Sequence, residues 1–205
     1  YPCLDQSIYL NQASLGLLSD KTVAEMTEFL STVARYGNLK MTDKEEANFL
    51  DPLRSRISKL LMAQPENIAI LSSASELLSQ VPKLCSPEPN SKIVLISTDF
   101  PSITRPWLTS EKTVNLEICF VNEDPNTDLT QTIIENIDSN TSVVCVSYVQ
   151  FASGTRIDIK KLNKYTKEFG TKLVIDVTQA AGAIPINVSE WSADILVCSG
   201  YKWLG

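Results

Sequence analysis

The sequence predicts an α/β protein with a mostly parallel sheet and helices on both faces. Short apolar runs typical of strands alternate with amphipathic stretches typical of helices. The runs at 92–97, 142–147, 172–176 and 195–198 are almost continuously apolar, as expected of strands that are covered on both faces. Because each is reached through a helical stretch, the connections are crossovers, which pair strands in parallel.

The composition is that of an ordinary globular protein. The chain has 205 residues, of which 43% are hydrophobic and 20% are charged. Its net charge of −6 provides no basic surface for nucleic acid, and no apolar run approaches the roughly 20 residues of a membrane span. We therefore expect neither nucleic acid nor a membrane as a partner.

Cysteine and histidine usage narrows the chemistry. None of the five cysteines forms a C-x-x-C pair, and Cys119, Cys145 and Cys198 lie in apolar runs, which favours buried, reduced thiols and a cytoplasmic protein. The chain has no histidine, which removes the usual zinc sites and the usual Ser-His or Cys-His nucleophile pairs. We predict no metal site.

Capping signals bound the predicted helices. Apolar spacing predicts a helix over 20–35, closed by Gly37, and a second helix from about Thr42, with Glu45 completing a capping box. A strand is predicted at 68–71, before a helix that opens near Ser73. A later helix over 159–169 has Asp158 as its cap.

Polar side chains follow the last two predicted strands. The run at 173–176 ends in Asp176, with Gln179 one turn later, and the run at 195–198 leads to Ser199 and Lys202. Open α/β sheets bind ligands at the carboxyl ends of their strands. We therefore expect an acid, an amide, a hydroxyl and an amine to meet in one crevice.

This set of groups suits pyridoxal phosphate. Lys202 can supply the amine of a Schiff base, and Asp176 can keep the ring nitrogen protonated, which makes the ring an electron sink. Gln179 can hydrogen-bond the ring hydroxyl, and Ser199 can donate to the phosphate. Taken singly, such a lysine is usually a solvated surface residue and such an aspartate a turn former or helix cap. The combination is more specific than its members.

The segments D-V-T-Q-A at 176–180 and S-G-Y-K-W-L-G at 199–205 resemble the class V aminotransferases of fold type I. That family includes cysteine desulfurases, selenocysteine lyases and related C–S lyases and epimerases, such as isopenicillin epimerase-like enzymes. The separation of Asp176 and Lys202 is that of the family, and the resemblance covers nearly the whole chain. It implies the pyridoxal-phosphate cofactor, an amino-acid substrate and a homodimer.

The resemblance also implies a domain organisation. Residues 1–20 would form an N-terminal segment near the active-site entrance, and residues 21–205 would belong to the cofactor-binding large domain. In the family a long stretch follows the lysine and forms a small C-terminal domain. We therefore expect a fragment truncated after Lys202, without the small domain and inactive alone.

Two further cofactor contacts follow from the resemblance. By themselves, Ser73, Ala74 and Ser75 indicate a serine cap at a helix start, but the family's phosphate-binding turn has the same form and assigns all three to the phosphate. Phe100 aligns with the residue that stacks on the cofactor ring. The alternative for Phe100 is an ordinary core position.

The predicted function is a pyridoxal-phosphate-dependent reaction at the Cα of an amino acid, by transamination or C–S lyase-like chemistry. Family members often carry His and Asn where this chain has Tyr148 and Phe151, and desulfurases place an imidazole where Phe100 stands. A poor cysteine desulfurase is therefore expected. The alternatives are a cysteine desulfurase or selenocysteine lyase, and a non-catalytic phosphate-binding α/β module that uses 73–75 only. No G-x-G-x-x-G or Walker A motif supports the latter.

Overall fold

Five strands form a single sheet in the computed structural model, which describes residues 1–205. The strands are β1 Lys92–Ile96, β2 Glu117–Val121, β3 Thr141–Ser147, β4 Lys172–Asp176 and β5 Ile195–Val197. All neighbouring pairs are parallel, and the order across the sheet is β2-β1-β3-β4-β5. The predicted α/β class with a parallel sheet is confirmed.

Eight α-helices accompany the sheet, together with short 3-10 turns at Pro2–Asp5 and Pro65–Asn67. The helices are α1 Asp20–Tyr36, α2 Asp43–Ala47, α3 Asp51–Leu61, α4 Ala74–Cys85, α5 Pro101–Val114, α6 Leu129–Glu135, α7 Ile159–Glu168 and α8 Val188–Trp191. None of them is both long and apolar enough to cross a bilayer.

Alternate residues of the central strands supply two separate cores. Val94 of β1 and Val144 of β3 belong to one hydrophobic cluster, which helices α6 and α7 complete. Their neighbours Ile93 and Val143 belong to a second cluster, which α4 and α5 complete. Successive side chains of a strand point to opposite faces, so the two clusters lie on the two sides of the sheet. The helices therefore cover both faces, as the apolar runs predicted.

Local capping chemistry sets the helix starts. The Asp158 carboxylate accepts from the amide of Lys161 at 3.0 Å at the start of α7. Thr42 and Glu45 form the predicted capping box at the start of α2. These contacts satisfy amides that have no acceptor inside a helix, which explains why short sequence signals located these helix starts correctly.

Two predicted elements are wrong. The helix from Thr42 is interrupted after Ala47, because Pro52 lies in the first turn of α3, where a missing amide is tolerated, and a new helix begins there. Residues 68–71 have no regular secondary structure and belong to no strand of the sheet. A cleft lies between this segment and β5, so the segment lacks the neighbour that a strand requires.

Candidate functional site

A cleft opens at the carboxyl edge of the sheet, where β1, β3, β4 and β5 end. Neighbouring strands β1 and β3 lead into helices on opposite faces of the sheet, so their connections diverge at this edge and leave a crevice. All eight residues predicted for the site line the cleft: Ser73, Ala74, Ser75, Phe100, Asp176, Gln179, Ser199 and Lys202.

Lys202 is the only amine that lines the cleft. The residue is 7% exposed, and its Nζ takes part in none of the protein's ion pairs. The Nζ atom lies 5.9 Å from the centroid of the Phe100 ring and 5.8 Å from that of the Tyr201 ring. Burial lowers the pKa of the Lys202 ammonium, and the negative charge of Asp176 partly opposes this.

Asp176 ends β4 with its carboxylate at the cleft, 8% exposed. Its Oδ1 accepts from the amide of Thr178 at 2.7 Å. Burial raises the pKa of Asp176 to about 6, while the bonds from Thr178 and the charge of Lys202 act in the opposite direction. The hydroxyl of Thr178 in turn accepts from the amide of Ser199 at 2.9 Å. Thr178 therefore fixes the ends of β4 and β5 to each other.

Only one of the two polar atoms of the Gln179 side chain has a hydrogen-bond partner. Its Nε2 donates to the carbonyl oxygen of Ala13 at 3.2 Å. Its Oε1 is buried and has no hydrogen-bond partner. A buried, unpaired acceptor costs about 1–3 kcal/mol, so its presence in a cleft is a sign of a missing donor.

The start of α4 forms a second side of the cleft. The Ser73 hydroxyl accepts from the amide of Glu76 at 3.1 Å, so the simple capping role of Ser73 is present. Ala74 and Ser75 occupy the first turn, where helix amides have no intrahelical acceptor. The Ser75 hydroxyl is 2.8 Å from that of Ser102 at the start of α5. Hydroxyls and first-turn amides together favour an anion.

Phe100 faces the cleft and is 41% exposed, which is inconsistent with the core alternative. It packs edge-on against Phe151, with ring centroids 5.5 Å apart and an interplanar angle of 83°. Tyr148, by contrast, is buried against Trp191 on the other side of the sheet end. Of Tyr148 and Phe151, only Phe151 lines the cleft.

A buried carboxylate, Asp99, supports the floor of the cleft. It accepts from the Ser147 amide at 2.8 Å, from the Ser147 hydroxyl at 2.7 Å and from the Phe100 amide at 2.7 Å. Gln150 approaches it at 3.4 Å. Burial raises the pKa of Asp99 even though these donors lower it. Asp99 thus ties the end of β1 to the end of β3, on either side of the crevice.

Sequence reasoning missed several residues that line or support the cleft. Ser147 ends β3, and Ser102 and Thr178 follow β1 and β4 by only a few positions, so the rule that located Asp176 could have located them. Asp99 had the same signal, being three residues beyond β1.

The family model for aminotransferase class-V matches residues 8–205 of this chain. The chain belongs to the class-V aminotransferase family. Among curated relatives, the "Uncharacterized aminotransferase YcbU" of Bacillus subtilis (strain 168) is 26% identical over 208 residues, which cover 100% of this chain and 54% of that protein. A kynureninase of Candida albicans is 26% identical over 222 residues, covering 100% and 48%.

Solved structures share the class-V fold. The cystine C-S lyase C-DES, in complex with its reaction product cysteine persulfide, superposes with a TM-score of 0.88 at 16% identity, covering 98% of this chain and 55% of that one. A cysteine desulfurase from Thermococcus onnurineus NA1 gives 0.84 at 23% identity, covering 98% and 52%. The chain spans about half the length of the curated relatives it matches.

Proposed function

We propose that this class-V chain carries the cofactor site of a pyridoxal-phosphate-dependent enzyme that acts at the Cα of an amino acid. The observation that carries the proposal is the convergence of Lys202 and Asp176 in one cleft, from the ends of two neighbouring strands. Relatives named as an aminotransferase and kynureninases support it, as does a structural neighbour described with glycine covalently linked to the PLP-cofactor.

The cleft residues fit this cofactor. The ring hydroxyl of the cofactor is a donor that suits the unpaired acceptor Oε1 of Gln179. Asp176, as a carboxylate, matches a protonated ring nitrogen, and the open amides of Ala74 and Ser75 match a phosphate. No other acid lines the cleft, which leaves Asp176 as the acid for the ring nitrogen. The ring hydroxyl, the ring nitrogen and the phosphate are three parts of the same ligand.

Each residue then has one role. Asp176 would hold the proton at the ring nitrogen, Gln179 would accept from the ring hydroxyl, and Phe100 would contact the ring. Ser73, Ala74, Ser75 and Ser199 would hold the phosphate. When bound, the cofactor supplies an electron sink that stabilises negative charge at the substrate Cα.

Lys202 has two tasks in this proposal. Its Nζ would hold the cofactor covalently at the carbonyl carbon and, as a free neutral amine, would take the proton from the substrate Cα. Both tasks require a deprotonated Nζ. Burial in the cleft lowers the pKa of Lys202 and so raises the neutral fraction at a given pH.

The proposal is tested by adding pyridoxal phosphate, recording the visible spectrum, reducing with borohydride and mapping the labelled peptide. A visible band and a label on Lys202 are expected. Lys160 and Lys172 serve as internal controls, since Lys160 is paired with Glu190 at the surface and Lys172 donates to a backbone carbonyl. A label on either would contradict the assignment. Binding without any label would instead favour the non-catalytic phosphate-binding module.

We expect the full-length protein to be a poor cysteine desulfurase. This chain provides no imidazole at the position of Phe100. Its buried thiols are poor nucleophiles, since burial raises the pKa of Cys85 to about 11 and that of Cys198 to about 12. Alanine formation from cysteine with a persulfide acceptor should be slow relative to turnover of other amino acids with a keto-acid acceptor. Rapid persulfide formation would overturn this, and a gain in Phe100→His would support it.

A homodimer is also part of the proposal. Helix α1 has no buried residue, although it carries a row of apolar side chains: Val23, Met26, Phe29, Leu30 and Val33. An amphipathic helix with an uncovered apolar face favours a further packing partner, and a second subunit is the proposed one. The division into an N-terminal segment at 1–20 and a large domain at 21–205, and the cytoplasmic location, stay predictions.

A further inference from the structure

The N-terminal turn at residues 11–16, here called the strap, lies across the segment that carries Lys202. The Nε2 of Gln12 donates to the carbonyl oxygen of Lys202 at 2.6 Å. The amide of Gly16 donates to the carbonyl oxygen of Tyr201 at 2.8 Å. The carbonyl oxygen of Ala13 accepts from Gln179 Nε2 at 3.2 Å. One short turn thus contacts two proposed cofactor ligands that arrive from different strands.

Position 16 must be glycine for this contact, because there is no room for a Cβ atom beside the backbone of Tyr201 and Lys202. A Cβ at Gly16 would overlap the Lys202 carbonyl oxygen and would lie 2.8 Å from that of Tyr201. The backbone of Gly16 is not in the left-handed region, so any residue could adopt its conformation. Close approach of two backbones is the remaining reason for glycine.

The strap is internally braced. The amides of Ser14 and Leu15 donate to the carbonyl oxygen of Asn11, at 3.0 and 3.2 Å. The hydroxyl of Tyr9 donates to the carbonyl oxygen of Leu15 at 2.7 Å. The strap is therefore a preformed turn, and its position constrains the residues that it contacts, which are Gln179, Tyr201 and Lys202.

Lys202 depends on such support because it lies beyond the regular structure. Strand β5 ends at Val197, and residues 200–204 form only bends and turns. Within this segment the carbonyl groups of Tyr201 and Lys202 are fixed by the strap, across some 190 positions of sequence. At Gln179 the strap takes the Nε2 end, which leaves Oε1 as the group presented to the cleft.

We propose that the strap is a positioning element: Gln12 and Gly16 hold the backbone of Lys202, and Ala13 orients Gln179, so that both side chains meet the cofactor. This inference rests on the proposed function. It predicts that substitutions in the strap impair the covalent step at Lys202 more than they impair non-covalent binding of a ligand in the cleft. Only the covalent step requires the amine at a defined position.

Two ligands separate these effects. Pyridoxal phosphate forms the covalent link, whereas pyridoxine 5′-phosphate has an alcohol in place of the aldehyde and binds without one. The rate of borohydride-trapped labelling of Lys202 and the pH midpoint of the visible band report the covalent step. The affinity for pyridoxine 5′-phosphate measures non-covalent binding in the cleft, and the melting temperature measures the stability of the fold.

Gly16→Ala and Gln12→Met are expected to slow labelling of Lys202 by about tenfold to a hundredfold and to shift the pH midpoint. Their affinity for pyridoxine 5′-phosphate should stay within about threefold of wild type. Matched controls are Gly200→Ala, where a Cβ meets nothing within 4 Å, and Gln6→Met, whose exposed side-chain amide makes no hydrogen bond. Both controls should label like wild type.

The outcomes are separable. If wild-type protein takes no label on Lys202, the proposed function fails. If wild type is labelled and both strap variants match it in rate and pH midpoint, the positioning role fails while the proposed function stands. Should Gly16→Ala fail to fold, Gln12→Met decides, since it keeps the length of the side chain and removes the amide that donates to Lys202.

Discussion

Lys202→Ala is expected to lower the exchange of an amino acid's α-proton in D₂O by about 10³-fold or more, since it removes both the covalent anchor and the base. No other amine lines the cleft, so nothing nearby can substitute for it. The measurement is loss of the α-proton signal by NMR, with an amino acid chosen by screening wild-type enzyme. This assay is independent of whether the later steps lead to transamination or to elimination.

The matched control is Lys160→Ala. Lys160 is exposed and pairs with Glu190 on the surface, so its loss should leave the exchange rate within about twofold. Pyridoxine 5′-phosphate should still bind Lys202→Ala, which separates a lost base from a lost site. Exchange at near wild-type rates in Lys202→Ala would exclude Lys202 as the base.

Asp176→Asn is expected to have opposite effects on activity and on stability. It should lower α-proton exchange by about 10²–10³-fold, because a neutral amide no longer keeps the ring nitrogen protonated. It should also stabilise the cofactor-free protein near pH 8, because a buried charge is removed. The side-chain carbonyl of the asparagine can still accept from the Thr178 amide, so we expect the local structure to be retained.

The pH dependence of this stability follows from the pKa of Asp176, raised from 3.8 to about 6 by burial. The folded protein binds this proton more tightly than the unfolded chain does, so the free energy of unfolding falls as pH rises from about 4 to about 6 and then levels off. The cost at pH 8 is about 1–3 kcal/mol. Asp176→Asn should therefore be more stable than wild type at pH 8 by about that amount, and equal to it near pH 4.

Urea unfolding at both pH values, with and without cofactor, checks this prediction. With pyridoxal phosphate bound, the positive ring nitrogen favours the ionised carboxylate, so the cofactor should stabilise wild type more than Asp176→Asn. Glu28→Gln, on the exposed surface of α1, is the control for a simple loss of charge. Equal stabilisation of both proteins by the cofactor would indicate that another acid faces the ring nitrogen.

Strand ends were predictable because the underlying rule is local. Apolar runs define the strands, and parallel strands end at a common edge, so Asp176, Ser199 and Lys202 were placed together from their order in the chain alone. The failed strand at 68–71 marks the limit of that rule. Its apolar pattern is that of a strand, but pairing depends on a neighbour, and a cleft separates it from β5.

The sequence by itself determined the parallel α/β architecture and the set of polar groups at the carboxyl edge of the sheet, because periodicity and capping signals depend on neighbouring residues. The segments at 176–180 and 199–205 indicated the family by resemblance. Only the tertiary structure decided how those groups are held. The contact of Gln12 with Lys202, the bond between Ser75 and Ser102 and the bridge from Asp99 to Ser147 join residues that lie 27 to 190 positions apart. Such contacts depend on how the helices and loops pack on the sheet, and no local pattern encodes that distance.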